Sequence, residues 1–409
     1  MNQNLFRKYA ETIVRVGINL KEGERVFIKG STECLSLMRE LTEICWAMGA
    51  QDVITKITDR YIERSFYDFA RDEALDEYMD FKVSYTESMY KEKYHIISIT
   101  CPNLDFMSNV DSDKMHRANM AANEKTKHLD KYMDKGDIKW VVAACATQRW
   151  ADLLFPDMDE DKAIDELWNH IFKAARIDEN DESNLCWKKH DAILKEKEAW
   201  LDSQDFEFLH YEGPGTDLKV YLAEKSKWVG GSSITPEGVS YMANIPTEEI
   251  FTAPHMYKVD GRLKATKPLA LAGKIVEDFS FVFKDGKVIE FEAKENGDIL
   301  EKYMESDENA VRLGEIALVP DASPISDMNI LFRNTLFDEN ASCHFALGAS
   351  YAENIIGGEL MSAEERTKLG ANDSVIHIDF MVGGPELKVT GYKKDGTAVP
   401  VLINGNWCK

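Results

Sequence analysis

The 409-residue chain has no run approaching the roughly 18 consecutive apolar residues of a membrane span. Its first residues, MNQNLFRKYAETIVRVG, carry charges throughout an amphipathic helical spacing, which is not the pattern of a signal peptide. Cysteine is sparse: seven residues, an odd number with no CxxC spacing, argue against a disulfide framework and against a cysteine zinc site. Reduced thiols in a cytoplasmic protein are the expectation. Positive charge is also short, with 49 Lys and Arg against 72 Asp and Glu, a net charge of -23 spread along the chain. Nucleic acid and anionic membrane surfaces would be repelled, so neither is expected as a partner.

Several catalytic fingerprints are missing too. No GxGxxG follows the first expected strand, and there is no GxxxxGK[ST] anywhere. There is no GxSxG, and the Gly-Gly-Ser-Ser at Gly230–Ser233 reads as a turn. Without HExxH, a single-zinc protease of the helical kind is disfavoured. Cys343 is next to His344, but sequence neighbours rarely present their side chains to each other, and a small buried cysteine is the better reading.

What is present is an ordinary globular composition, 44% apolar and 30% charged, at a length that suggests two domains. Short apolar strands at Arg25–Gly30, Asp52–Ile57, His95–Thr100 and Ile138–Ala144 alternate with helical patterns at Leu5–Gly17, Ser31–Met48, Ile62–Tyr78 and Met115–Met133. That alternation predicts a parallel sheet with helices on both faces. After Phe155-Pro156-Asp157 come two charged helices and then mostly strands, with Asp-Gly hairpins at Asp285-Gly286 and Asp395-Gly396. The predicted architecture is therefore α/β: an N-terminal parallel-sheet domain over residues 1–156, then a β-rich mixed α+β catalytic domain over 157–409.

The chemistry is concentrated in Leu331–Phe380, which offers Asp338, Glu339, His344, Tyr351, His377 and Asp379. Ile376-His377-Ile378-Asp379-Phe380 alternates as a strand and puts His377 and Asp379 on one face, the apolar residues on the other. Two upstream segments add carboxylates. Asn244–Pro254 contains Glu248 and Glu249 between prolines, an ordered loop or edge segment in which only one of the two is expected to point inward. Gly314-Glu315-Ile316-Ala317-Leu318-Val319 leads a carboxylate straight into an apolar strand, a pattern that by itself fits an exposed strand start and a site equally well. Taken singly, a glutamate pair is more often solvated surface, and a lone histidine more often a hydrogen-bonded core residue. Together, three Glu, two His, one Asp and one Tyr without a thiolate suit two divalent ions that share a carboxylate.

In this order, NIPTEEIFTAP (Asn244–Pro254), LGEIALV (Leu313–Val319), LFDENASCHFALG (Leu336–Gly348) and SVIHIDFMVG (Ser374–Gly383) resemble the M29 family of metalloaminopeptidases. The N-terminal half, beginning LFRKYAETIVRVGINLKEGERVFIKG, is similar more loosely. The resemblance implies release of N-terminal amino acids from short peptides by a homodimer. It also implies two divalent metals per chain, zinc or cobalt, with manganese or magnesium also compatible with the donors. Glu249, Glu315, His344, Tyr351, His377 and Asp379 fall on the family's ligand positions, and Glu315 matches the bridging carboxylate. Glu339 matches a further acidic position, ligand or proton carrier, and Tyr351 is either a ligand or a hydrogen-bond donor to the oxyanion. Two alternatives stand beside this reading: a dipeptidase or other dinuclear amidohydrolase, and a non-catalytic binding protein whose metals tie loops together.

Overall fold

The structure is a computed structural model that describes residues 2–408 apart from 103, 108, 182 and 183, and omits the side chains of 104 and 105. Two compact units are formed, one from Met1–Ala192 with Gly231–Thr247, the other from Ile193–Gly230 with Glu248–Lys409. The first unit thus runs beyond the expected limit at Pro156 and takes back a later segment.

In the first unit five parallel strands lie in the order Asp52–Thr58, Arg25–Ser31, Tyr94–Thr100, Trp140–Ala144, Asn244–Ile245. Asn244 and Ile245 are the edge, in register with Val142 and Ala143, in line with the edge segment expected there. Val26, Ile28, Ile97 and Val141 are fully buried in this sheet. The helix Gln3–Thr12 packs through Phe6 onto Trp168 of Glu160–Ala174, the rings meeting edge-on at 5.2 Å. Tyr9 fixes the same layer: its hydroxyl donates to the Ala144 carbonyl at 2.8 Å and accepts from the Ala144 N–H at 3.1 Å. The single helix expected over Ile62–Tyr78 is instead two, Arg60–Phe69 and Asp72–Leu75, because Ala70 and Arg71 are extended. A further helix, Asp80–Lys91, was not anticipated.

Lys139, 1% exposed, is held by both oxygens of Glu24 at 2.6 and 2.8 Å. His95 accepts the Lys139 backbone N–H on Nδ1, so its Nε2 carries the proton toward Glu24 Oε1 at 3.2 Å. Burial pushes the Glu24 carboxyl up, but the hydrogen bonds from His95 and Lys139 outweigh it and hold its pKa at about 2. A carboxyl depressed in the folded state contributes stability above its unfolded pKa and loses it as pH falls toward the folded one, here from about 4.5 to about 2. The shift corresponds to at most about 3.4 kcal/mol, which solvent screening of this half-buried carboxyl reduces. Glu24→Gln should therefore melt below the parent protein at pH 7, and thermal melts should show the gap closing as pH drops below 4.5. A gap independent of pH would remove this role.

Among the described residues the second unit holds antiparallel sheets of eight and five strands and a two-stranded pair, Leu269–Leu271 with Lys274–Val276. The larger runs Lys287–Glu292, Ser280–Lys284, Pro254–Lys264, Thr216–Leu222, Phe206–Gly213, Lys388–Lys393, Ala398–Ile403, Asn406–Trp407. Both Asp-Gly hairpins form as expected, and Asp285 and Gly286 take φ of 49° and 76°, the left-handed values of a tight hairpin turn. The smaller sheet runs His377–Met381, His344–Gly348, Leu313–Leu318, Ile250–Thr252, Val229–Gly230. An aromatic core backs this sheet: Phe380 lies 5.1 Å from Phe281 and 5.9 Å from Phe279, and stacks on Phe345 at 6.3 Å.

Candidate functional site

The register of the five-stranded sheet explains how residues from separate segments reach one place. Asp379 faces Ala346, Ala346 faces Glu315, and His377 faces Gly348. Residues directly opposite each other in an antiparallel pair share a face, and alternation adds those two positions away. Glu315 and Ala317, His344, Ala346 and Gly348, and His377 and Asp379 therefore share one face, while Ile316, Phe345, Ile378 and Phe380 turn to the core. The middle of that face carries only Ala317, Ala346 and Gly348, so space is left between the acidic and imidazole groups. These small residues were missed by sequence reading, although the alternating small positions of His344-Phe345-Ala346-Leu347-Gly348 carry the signal.

Glu315 lies in the middle strand, whose six residues are all buried. The ladder slips by one residue between Leu313 and Glu315, making Gly314 the extra residue of a bulge. The bulge turns Glu315 to the site face. This decides between the two readings of the segment: Glu315 is not an exposed strand start, since it is 3% exposed.

His344 Nε2 is 3.0 Å from Glu249 Oε2 and 3.6 Å from Glu315 Oε1. His377 Nε2 is 3.5 Å from Glu315 Oε2 and 3.2 Å from Asp379 Oδ1. Two triads result, Glu249–Glu315–His344 and Glu315–His377–Asp379, in each of which the candidate donor atoms lie within 4.8 Å of one another. Both imidazoles are oriented from behind. His344 Nδ1 donates to the carbonyls of Glu339 and Ser342, each at 3.1 Å, and His377 Nδ1 to the Ala349 carbonyl at 2.8 Å. With a proton fixed on Nδ1, Nε2 of each ring is the atom that faces the carboxylates, so it is the nitrogen that would bind a metal on giving up its own proton.

Glu339 ends the short helix Thr335–Glu339, and Asn340 Nδ2 donates to its Oε1 at 3.4 Å. Burial, then the charges of Asp379 and Glu249, hold its pKa well above the usual carboxylate range. Tyr351 packs its ring 4.8 Å from that of His377 and 5.9 Å from Phe251, and is 44% exposed. All seven sequence-derived residues thus lie in or beside one cluster. Asp338 does not join it as a donor: Oδ1 and Oδ2 accept the backbone N–H groups of Phe332 and Asn334 at 2.8 and 3.1 Å, which fixes the preceding loop. Glu248 and Glu249 are both buried, at 4% and 8%, and of the two only Glu249 belongs to the donor cluster. Glu249 reaches His344, whereas the Glu248 backbone N–H donates to Asn340 Oδ1 at 2.7 Å.

Electrostatics test whether this cluster suits a cation. Burial pushes Glu315 up, and His344 is raised well above its ordinary value, because burial, which would lower it, is outweighed by Glu249 and Glu315. His377 is raised to about 9, against burial, by Asp379 and Glu315. Glu315 and Glu339 are pushed toward the protonated form, Asp379 is held ionised, against burial, by His377, and both imidazoles are pushed toward holding a proton, which offsets the crowded negative charge. A multivalent cation would do the same. The residues fit metal.

The chain matches the model of the family described as thermophilic metalloprotease (M29) over residues 2–407. It is 39% identical over 399 residues to aminopeptidase AmpS of Bacillus subtilis, covering 98% of this chain and 97% of that protein. It is 35% identical over 400 residues to aminopeptidase T of Thermus aquaticus, with the same coverage. The solved structure of wild-type AmpT from Thermus thermophilus superposes with a TM-score of 0.90 at 34% identity, covering 100% of both chains. With the whole length matched in sequence and in fold, the chain belongs to the M29 family of metalloproteases and is a hydrolase of peptide bonds.

Proposed function

We propose that the chain is a metal-dependent aminopeptidase that releases N-terminal residues from short peptides at a site for two divalent ions. Glu249, Glu315, His344, His377 and Asp379 would hold the ions, with Glu339 and Tyr351 beside them. One observation carries the reading: the two oxygens of Glu315 address two different histidines, so two donor triads share one carboxylate. Carboxylates with imidazole and no thiolate suit zinc or cobalt, and also accept manganese or magnesium. Such ions, when bound, supply Lewis-acid activation of water and stabilise charge on the attacked carbonyl.

The remaining steps fall to the chain's own groups. Glu339, placed beside Glu249 and Asp379, takes a proton from the attacking water and returns it to the leaving amine. Tyr351, steadied against the His377 ring, donates its hydroxyl hydrogen to the carbonyl oxygen as charge develops there. Four carboxyls in one site favour a substrate that brings a cationic N-terminus, which supports cleavage at that end. The aminopeptidase names of the relatives support the same choice. The reading includes a homodimer in the cytoplasm, a setting that the seven unpaired cysteines suit.

Elemental analysis of the purified protein, joined to assays on aminoacyl amides and short peptides before and after chelation, tests it. Two ions per chain and activity that follows the metal are expected. Fewer than two at saturation, or activity indifferent to chelator, would sink the proposal. Glu339→Gln should lower kcat by about 10²–10⁴ with both ions retained. Loss of an ion from that variant would make Glu339 a ligand instead.

A further inference from the structure

The parallel sheet of the first unit has a feature that the peptidase chemistry does not use. Its chain enters at Arg25–Ser31, adds Asp52–Thr58 on one side, then crosses to place Tyr94–Thr100 on the other. The strand order therefore reverses between Arg25–Ser31 and Tyr94–Thr100. In open parallel sheets, the crevice beyond the carboxyl ends of the strands at such a reversal is where ligands bind.

A cavity of about 580 Å³ lies there. Its lining includes Lys29, Gly30 and Ser31 from one strand end and Ser98, Ile99 and Thr100 from the other. That volume falls within the range of small-molecule sites. Lys29 and Lys56 both line it and are directly opposite each other in the parallel register, with Ser98 opposite Lys29 on the other side. Neighbouring strands lie about 4.8 Å apart, so the two ammonium groups start side by side on one face.

In a chain with a net charge of -23, lysines have many carboxylates to choose from. Lys139, Lys195, Lys227, Lys264, Lys284 and Lys388 each have one. Among the described residues Lys29 and Lys56, like Lys135 and Lys173, do not; what sets these two apart is that they stand side by side on one cavity wall. The third cation of the cavity is already engaged: Arg60 Nε sits 2.8 Å from Glu33, and its Nη2 donates to the carbonyl of Cys101 and, at 3.0 Å, to the Cys101 sulfur. Burial, then the neighbouring Lys56, pull the Lys29 pKa down. Beside the engaged Arg60, the polar groups lining the cavity are thus two unpaired like charges, hydroxyls at Ser31, Thr58, Ser98 and Thr100, the Cys101 thiol and one carboxylate at Glu63.

We propose that this cavity is a second binding site, for a small molecule whose phosphate or carboxylate group lies between Lys29 and Lys56. An oxyanion there replaces repulsion between the ammoniums with two charge-assisted hydrogen bonds.

Footprinting of the intact protein tests it. Lysines are reductively methylated and quantified residue by residue by mass spectrometry, in chloride and then in inorganic phosphate at matched ionic strength. Parallel arms use an N-acetyl dipeptide with a free carboxylate and the same dipeptide as its amide. Phosphate, the acid dipeptide or both should slow modification of Lys29 and Lys56 several-fold while other lysines keep their chloride rates. Protection by phosphate alone identifies a phosphate ligand, and protection by the acid but not the amide identifies a carboxylate. Equal rates at Lys29 and Lys56 in every arm, or slowing shared by all lysines, overturns the proposal. Because the readout is local to these two lysines, anion binding at the Glu315 site does not enter it.

Discussion

Glu315→Gln should cost the protein its metal and its activity together, while the metal-free fold survives. Glu315 belongs to both triads, so its amide presents one oxygen where two carboxylate oxygens now face His344 and His377. Outer-shell partners of metal sites are worth about 10–100-fold in affinity or activity, and a shared donor should exceed that. The fold is expected to survive because the exchange is nearly isosteric. It also removes a carboxyl that burial already makes costly in the metal-free protein. The decisive measurement is therefore a pair of Tm values, with and without added zinc, beside the metal content. The parent protein should gain Tm on metal addition, because a ligand that binds only the folded state stabilises it. The variant should gain little and hold fewer than two ions. A variant that still binds two ions with an unchanged gain would show that Glu315 is not shared between them.

His377 and Asp379 were legible in sequence because a period of two on a short apolar strand assigns faces without any knowledge of the partner strands. Glu315 was legible through the inventory and the family resemblance, but its own segment left it open, for the opposite reason. One carboxylate before an apolar run has no periodic companion, and what buries it is pairing on both edges with Ile250–Thr252 and His344–Gly348. The limits of the two units were hidden by the same kind of long-range pairing. Asn244 and Ile245 join the parallel sheet by only two residues of ladder, too short to leave a pattern in the sequence. Around Ile62–Tyr78 the apolar spacing was read correctly, but the extended pair Ala70-Arg71 is set by local backbone geometry that apolar spacing does not report.

The bulge that aims Glu315 gives the second large effect, Gly314→Ala. A Cβ at Gly314 would stand 2.2 Å from the Gly348 carbonyl oxygen and 2.3 Å from that of Ala349. Neither neighbour is the end of a flexible side chain. Both are backbone, on the segment that carries His344 at one end and accepts the His377 Nδ1 hydrogen at the other. Relief requires parting the two central strands of the sheet or undoing the bulge. Inserting one methyl group into a tight interior costs about 1–3 kcal/mol even where side chains can yield. Here the rigid partners put the cost at the top of that range. Moving the bulge would also send Glu315 to the other face, since a one-residue slip exchanges the two faces of a strand. Gly314→Ala is thus expected to lower Tm and to lose metal as well, whereas Glu315→Gln loses metal with the fold intact. Melting curves and elemental analysis on the two variants side by side check this. A Gly314→Ala protein with parental Tm and two bound ions would show that the close approach of these strands does not aim the carboxylate.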